Sequence, residues 1–290
     1  METDQIKELV QSMSESTFGV IGMGNIGKAT ISGFIRNNLF SKTQLWICNK
    51  TAHETEEKCN DAFDLSNISV AKNNHELVRN CNVIFIALKQ NQMREELTSW
   101  HETKILDPNK LIISFAAGVH INTIKKWVGY SNQPVIRIMP NTPIAVGKGV
   151  FGWTVSDEVT IGQTKIVQYL LRSLGTECLV GSDEAIDIIT AISGSGPAYF
   201  YLFAEHMIRQ AANLGIKEED AERLVRQTFI GAAALLDQQS NFSISELRKR
   251  ITSKGGTTEK AIQSFNEDNL FLLIQRAMQG AKQKATELGY

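Results

Sequence analysis

The sequence predicts an α/β domain built on a doubly wound, mostly parallel sheet, followed by an all-α domain. Three observations carry this expectation. From Phe18 to about Gly181, short and nearly all-apolar runs alternate with amphipathic stretches. That is the pattern of βαβ units whose strands are buried on both faces. A glycine-rich turn, Gly22-Met23-Gly24-Asn25-Ile26-Gly27, directly follows the first run and opens a helix. All five prolines fall between Pro108 and Pro197, and from Asp183 onward the chain reads as successive helices. The expected domains are a leader helix or flexible tail over 1–16, the α/β domain over 17–181 and the helical domain over 182–290.

The expected strands are Phe18–Ile21, Gln44–Cys48, Val83–Leu88, Leu111–Ser114 and Val135–Met139, with a weaker run at Ile68–Ala71. Helical spacing covers Asn25–Asn38 and Asn91–Trp100. A last unit runs through Val150–Val155, a helix near Glu158–Ser173, and Glu177–Val180. The helices of the second domain are expected at Asp183–Ile192, Pro197–Leu214, Lys217–Leu236, Ser243–Arg250, Thr257–Phe265 and Asn269–Leu288. Gly215 ends one of them, and the acidic run Glu218-Glu219-Asp220 starts the next.

Bulk properties narrow the function classes. The 290 residues are 42% apolar with a net charge of −1. No long-range field draws such a chain to nucleic acid or to anionic lipid. Residues 1–16 have no long apolar run, so neither a secretory signal nor a membrane span is expected. Cys48, Cys59, Cys81 and Cys178 form no C-x-x-C pair and the histidines are scattered. Reduced thiols in a cytoplasmic protein, with no metal centre, are therefore expected.

The glycine turn is the first functional motif. Strand, G-x-G-x-x-G and helix in immediate succession form the dinucleotide-binding fingerprint of a Rossmann domain. Gly22 makes the tight turn, Gly24 lets backbone approach a pyrophosphate, and Gly27 lets helix pack on strand. The helix start offers unpaired N–H groups and a positive dipole end to the phosphate. The second strand ends at Asn49-Lys50-Thr51, with no carboxylate to bond a ribose 2′-hydroxyl. Asn49 can donate to a 2′-phosphate and Lys50 supplies a charge, so NADPH is expected over NADH as a weaker alternative. Ala87-Leu88-Lys89 and Ala116-Ala117-Gly118 end further strands on the same rim. Their small residues leave room for nicotinamide and its ribose. Met139-Pro140-Asn141-Thr142-Pro143 forms a stiff loop there, with Asn141 facing the site.

A second glycine site, Ser253-Lys254-Gly255-Gly256-Thr257-Thr258, opens a helix in the second domain. Two readings of it stand side by side. Its first-turn N–H groups form an anion site for a substrate carboxylate, or Thr257 is an ordinary N-cap behind a glycine loop.

These motifs, with Ser114–Gly118 and Ser193-Gly194-Ser195-Gly196-Pro197-Ala198-Tyr199, occur in an order that resembles the pyrroline-5-carboxylate reductase family from Phe18 to the C-terminus. The resemblance implies NADPH-dependent reduction of the C=N bond of 1-pyrroline-5-carboxylate to L-proline, the last step of proline biosynthesis. It implies a homodimer with interleaved helical domains, and larger rings of dimers in some members. It also implies that Ser253, Gly255, Gly256 and Thr257 hold the substrate carboxylate, that the Thr258 hydroxyl bonds the ring nitrogen, and that Asn74 lies near the adenosine ribose. The chain departs from the family at Gln90, which stands where proline is usual after lysine. It departs again at Lys254, where proline is usual, and at Arg248-Lys249, where Lys-Asp is common. A paralogue acting on another cyclic imino acid and a non-catalytic nucleotide-binding regulator therefore stay open. A β-hydroxyacid dehydrogenase needs a lysine base early in the helical domain, and Gly194–Met207 contains none.

Overall fold

The computed structural model describes residues 13–41 and 44–288. Of the expected leader, only residues 13–16 belong to it. Met13 is buried, and its carbonyl accepts from Gln44 Nε2 at 2.8 Å. The chain forms two compact units, 1–195 with 281–290, and 196–280.

The first unit is an eight-stranded sheet in the order β3-β2-β1-β4-β5-β6-β7-β8. Its strands are β1 (Phe18–Ile21), β2 (Leu45–Cys48), β3 (Ser69–Val70), β4 (Val83–Ile86), β5 (Leu111–Ser114), β6 (Val135–Met139), β7 (Gly149–Val155) and β8 (Gly175–Leu179). Every pairing is parallel except β6 with β7. In β1, β4 and β5 every residue is buried, because helices cover both faces. One core layer gathers Phe18, Phe34, Phe85 and Trp153; the other gathers Ile21, Ile86, Leu97 and Trp100.

The helices are α1 (Asn25–Arg36), α2 (Ala52–Cys59), α3 (Asn74–Asn80), α4 (Gln90–Thr103), α5 (Ile121–Val128), α6 (Ile161–Leu174) and α7 (Asp183–Ile189). The winding runs from β1 out to β3 and then returns past β1 to β4. The order therefore reverses between β1 and β4, and a crevice opens there outside the carboxyl ends of the strands.

The helix expected over Asp183–Ile192 stops at Ile189 and continues as a π turn, Thr190–Gly194. Its wider ring is closed by Ser195 N–H donating to the Thr190 carbonyl at 2.9 Å. The second unit contains α8 (Gly196–Asn213), α9 (Glu218–Gln238), α10 (Ile244–Arg250), α11 (Thr257–Glu267) and the start of α12 (Leu270–Glu287), whose end belongs to the first unit. These helices bury little within one chain. Among the described residues, α10 and α11 have no buried side chain and α9 has two, Ala221 and Val225. Phe200, Tyr201, Leu224, Ile230, Phe271 and Leu273 are each more than half exposed. Helices that carry apolar residues on their outer faces require a further apolar surface to cover them.

Cys48, Cys59 and Cys81 are buried thiols, and burial pushes Cys48 and Cys81 up to about 12. They pack as small apolar groups and are not nucleophiles. Among the described residues no group of His, Cys, Asp and Glu could hold a metal ion.

At the sheet edge, burial raises the Glu177 carboxyl, but hydrogen bonds from Trp153 Nε1, Gln168 Nε2 and Arg172 outweigh it and leave it below the usual carboxylate range. Folding therefore favours the ionised form. Its contribution is complete above the ordinary value of 4.5 and is lost as pH falls through the lower folded value. Glu177→Gln is expected to lower Tm at pH 7 and to flatten the fall in Tm on acidification below about pH 4.5. Thermal melts of both proteins across pH 3–7 check this.

Candidate active site

A crevice of about 1000 Å³ lies at the reversal point of the sheet. The glycine loop forms one wall. Gly22 sits at φ +99°, and a Cβ there would stand 2.6 Å from the Ala87 carbonyl oxygen at the end of β4. Gly27 packs so closely on the Gly22 carbonyl that a side chain has no place. Gly24 is the opposite case, with open space where its Cβ would be. It is also the N-cap of α1, so no side chain bonds the N–H groups of that helix, and no acidic residue occupies the first turn. An uncapped helix start behind an open glycine is the geometry that takes a phosphate.

Asn49 joins this wall to the end of β2. Its Oδ1 accepts from Met23 N–H at 3.1 Å. Because that backbone group can only donate, the amide is fixed with Nδ2 pointing the other way, onto Glu54 Oε2 at 3.1 Å. Lys50 then turns the chain at φ +64°. Thr51 caps α2 by accepting from Glu54 N–H at 3.2 Å. The expectation that β2 ends without a carboxylate is met at 49–51 and overturned in space, because the first turn of α2 folds Glu54 back beside Asn49. Asn49 thus has two protein partners for the amide group expected to face a 2′-phosphate.

Gly22, Gly24, Asn25, Ile26, Asn49 and Lys50 line the crevice, as do Asn74, Ala87, Leu88, Lys89, Ala116 and Ala117. Asn74 is 6% exposed and donates to Glu96 Oε2 at 2.9 Å. Trp100 Nε1 holds the other oxygen of Glu96 at 2.7 Å. This carboxylate accepts on both sides, and the Asn74 oxygen is left buried without a hydrogen-bond partner.

Four expected cofactor residues lie off the crevice lining. Met23 is 2% exposed, with its side chain in the core. Gly27 is packed against Gly22. Gly118, at φ +73°, abuts Leu288. Asn141 is tied into the fold: Nδ2 donates to the Ser193 carbonyl at 3.0 Å and Oδ1 accepts from Val150 N–H at 2.8 Å. Glu54, Lys58, Glu96, Phe115 and Leu288 line the crevice without having been singled out in the sequence. Thr51 three residues before Glu54 is a capping signature that could have placed Glu54 in the first turn. Leu288 leaves no local signal, since only the packing of the C-terminal turn brings it there.

In the helical unit, Gly256 and not Thr257 is the N-cap of α11, with no side-chain cap bond. Gly255 takes φ +72°, and its N–H donates to Glu259 Oε2 at 2.7 Å. A Cβ on Gly256 would stand 2.6 Å from Ser253 Oγ, so Ser253, Gly255 and Gly256 form one close turn. Thr257 and Thr258 are the first two residues of the helix. The α11 N-terminus thus has no side-chain cap but carries the Glu259 carboxylate in its first turn, with the Thr258 hydroxyl one residue in.

Comparison with known proteins fits both units. Residues 183–288 match the family model described as pyrroline-5-carboxylate reductase dimerisation, and 17–118 match the model described as NADP oxidoreductase coenzyme F420-dependent. The pyrroline-5-carboxylate reductase of Pseudomonas aeruginosa is 33% identical over 95% of this chain and 98% of its own length. The chain belongs to the pyrroline-5-carboxylate reductase family. Pyrroline-5-carboxylate reductase 2 of Bacillus subtilis is 30% identical, covering 93% of this chain and 94% of its own. Among solved structures, the Coxiella burnetii pyrroline-5-carboxylate reductase aligns with TM-score 0.84 at 30% identity, over 95% of this chain and 99% of that one. The Plasmodium falciparum pyrroline carboxylate reductase with NADP bound aligns with TM-score 0.80 at 27% identity, over 96% and 99%. The helical region is accordingly an oligomerisation region, which accounts for its exposed apolar residues. No described helix is long and apolar enough to cross a membrane.

Gly24→Ala and Gly27→Ala separate the two uses of glycine. Gly24→Ala is expected to keep Tm within about 2 °C while weakening dinucleotide binding at least tenfold, since its methyl enters only the space a phosphate needs. Gly27→Ala is expected to destabilise the fold itself, by more than about 2 kcal/mol. Calorimetric titration with NADP⁺, alongside thermal melts, distinguishes them.

Proposed function

We propose that this chain is a pyrroline-5-carboxylate reductase, reducing the C=N bond of 1-pyrroline-5-carboxylate to L-proline with NADPH, and with NADH less well. The observation that carries the reading is the pair of open helix starts, at Gly24 in the crevice and at Gly256 in the helical unit. One suits a pyrophosphate and the other a carboxylate. The site residues are those expected from the sequence, with Met23, Gly27, Gly118 and Asn141 supporting the crevice from behind its lining.

When bound, the reduced nicotinamide supplies the hydride that goes to the imine carbon. A substrate arriving as the iminium is already activated, so the protein needs little acid–base machinery. The contribution of the chain is orientation. The N–H groups around Gly256 and Thr257 anchor the carboxylate. The Thr258 hydroxyl accepts from the iminium N–H, and afterwards donates to the amine whose lone pair comes from the former C=N bond. Asn74 and the glycine loop hold the nucleotide. Lys254 adds positive charge beside the carboxylate anchor, in keeping with a small anionic imino acid.

The helical region over 182–290 serves as the substrate-binding and dimerisation domain, and 17–181 as the dinucleotide domain. The assembly is a homodimer with interleaved helical domains, with rings of dimers as a larger form, working in the cytoplasm.

NADPH oxidation assayed with pyrroline-5-carboxylate tests the activity, and no turnover would favour a nucleotide-binding regulator. Thr258→Ala should lower kcat at least tenfold with Tm unchanged; unaltered kcat and KM would remove Thr258 from the mechanism. Because the helices depend on a partner for burial, Tm should rise with protein concentration over a hundredfold range, and sedimentation should show no stable monomer.

A further inference from the structure

The crevice contains a carboxylate that the cofactor reading does not use. Glu54 lines it and is half-buried. The geometry is built through three groups: Met23 N–H fixes the Asn49 amide, and that amide directs Nδ2 onto Glu54 Oε2. Thr51 meanwhile satisfies the Glu54 N–H, so the residue is held at both its backbone and its side chain. The antiparallel bridge Thr51–Asn73 sets the start of α2 beside the start of α3, where the Asn74 amide is tied to Glu96. In a sheet of this kind the pyrophosphate occupies the glycine loop and the adenosine ribose lies at the end of β2. That end presents an acceptor, the Glu54 carboxylate, and two cations, Lys50 and Lys58. A ribose 2′-hydroxyl is a donor and suits the acceptor. A 2′-phosphate is an acceptor carrying nearly two negative charges and suits only the lysines.

We propose that Glu54 is the specificity-determining residue of the cofactor site: it receives the 2′-hydroxyl of NADH and opposes the 2′-phosphate of NADPH, holding the lysine-derived NADPH preference to a modest level. This rests on the reading of the crevice as a dinucleotide site. It differs from that reading in assigning the balance between the two cofactors to one side chain, five residues beyond the position where the sequence suggests looking.

The test compares the native protein with Glu54→Gln. The amide oxygen of the variant still accepts from Asn49 Nδ2, so the local hydrogen bonds survive and only the charge is lost. Calorimetric titration with 2′,5′-ADP and with 5′-AMP reads the adenosine end without any turnover. Removing one charge near a phosphate at a partly solvated site is expected to tighten 2′,5′-ADP about tenfold. Binding of 5′-AMP should stay level or weaken. The ratio of kcat/KM for NADPH over NADH should move by a similar factor. An unchanged 2′,5′-ADP to 5′-AMP ratio in the variant overturns the role of Glu54 and leaves the dinucleotide reading intact. Failure of the native protein to bind either nucleotide overturns both. Glu54→Lys, with a reversed charge, should move the ratio further in the same direction, and a ratio that does not follow charge also counts against the proposal.

Discussion

The Arg137 guanidinium sits in the middle of β6, with its side chain 1% exposed. A charge in that position is tolerated only if its charge is paired, since removing one partner of a buried pair costs on the order of 3–5 kcal/mol. Asp183 and Asp187, both on α7, supply the pairing at 2.9 and 2.8 Å. The second Asp187 oxygen accepts from Thr286 near the end of α12 at 3.2 Å. The chain leaving the sheet and the chain returning at the C-terminus are therefore tied to one strand. That tie fixes the π turn after α7, whose Ser193 carbonyl takes the Asn141 amide. It also sets the last turn of α12, which brings Leu288 to the crevice and against Gly118. The rim of the cofactor site is thus organised from a residue well away from the glycine loop.

What was legible in the sequence is what local physics determines. Strands buried on both faces must be apolar nearly throughout, so Phe18–Ile21, Val83–Ile86 and Leu111–Ser114 announce themselves. A turn that needs φ > 0 and close backbone contact must be glycine, so Gly22 and Gly27 could be assigned their roles. Residues whose role depends on distant partners were not legible. Asn141 stands at a strand end like the crevice residues, yet its amide is consumed by Ser193 and Val150, 52 and 9 residues away. Asn49 was placed correctly, but its orientation is dictated by Met23, and so its donor points to Glu54. Hydrogen-bond direction depends on the partner, and no spacing rule encodes it.

The helical unit illustrates the same limit on a larger scale. Its apolar periodicity was plain, and helices form at the expected places after Pro197, within a few residues at their ends. Periodicity does not say whether an apolar face is covered by the same chain or by another copy. The exposed Phe200, Tyr201, Phe271 and Leu273 answer that question. Helices that fold back on so little of their own surface derive their stability from association, as the match to a dimerisation region requires.

The treatment of helix starts unites the two units. Thr51, Asn73, Thr160, Ser182 and Ser243 cap α2, α3, α6, α7 and α10 with their own side chains. The starts of α1 and α11 have glycine instead, at Gly24 and Gly256. An N-cap of Ser, Thr or Asn stabilises a helix by about 1 kcal/mol, but its oxygen then occupies the N–H groups an anion would need. Glycine leaves those groups free and adds no side chain in the way of a ligand. The first turn of α1 contains no acidic residue, whereas Glu259 in the first turn of α11 bends back to the Gly255 N–H and stiffens the loop before the helix. The starts of α4, α5 and α9, at Lys89, His120 and Lys217, also lack a side-chain cap, so what sets α1 and α11 apart is that their N-cap is a glycine with no side chain in front of the first turn.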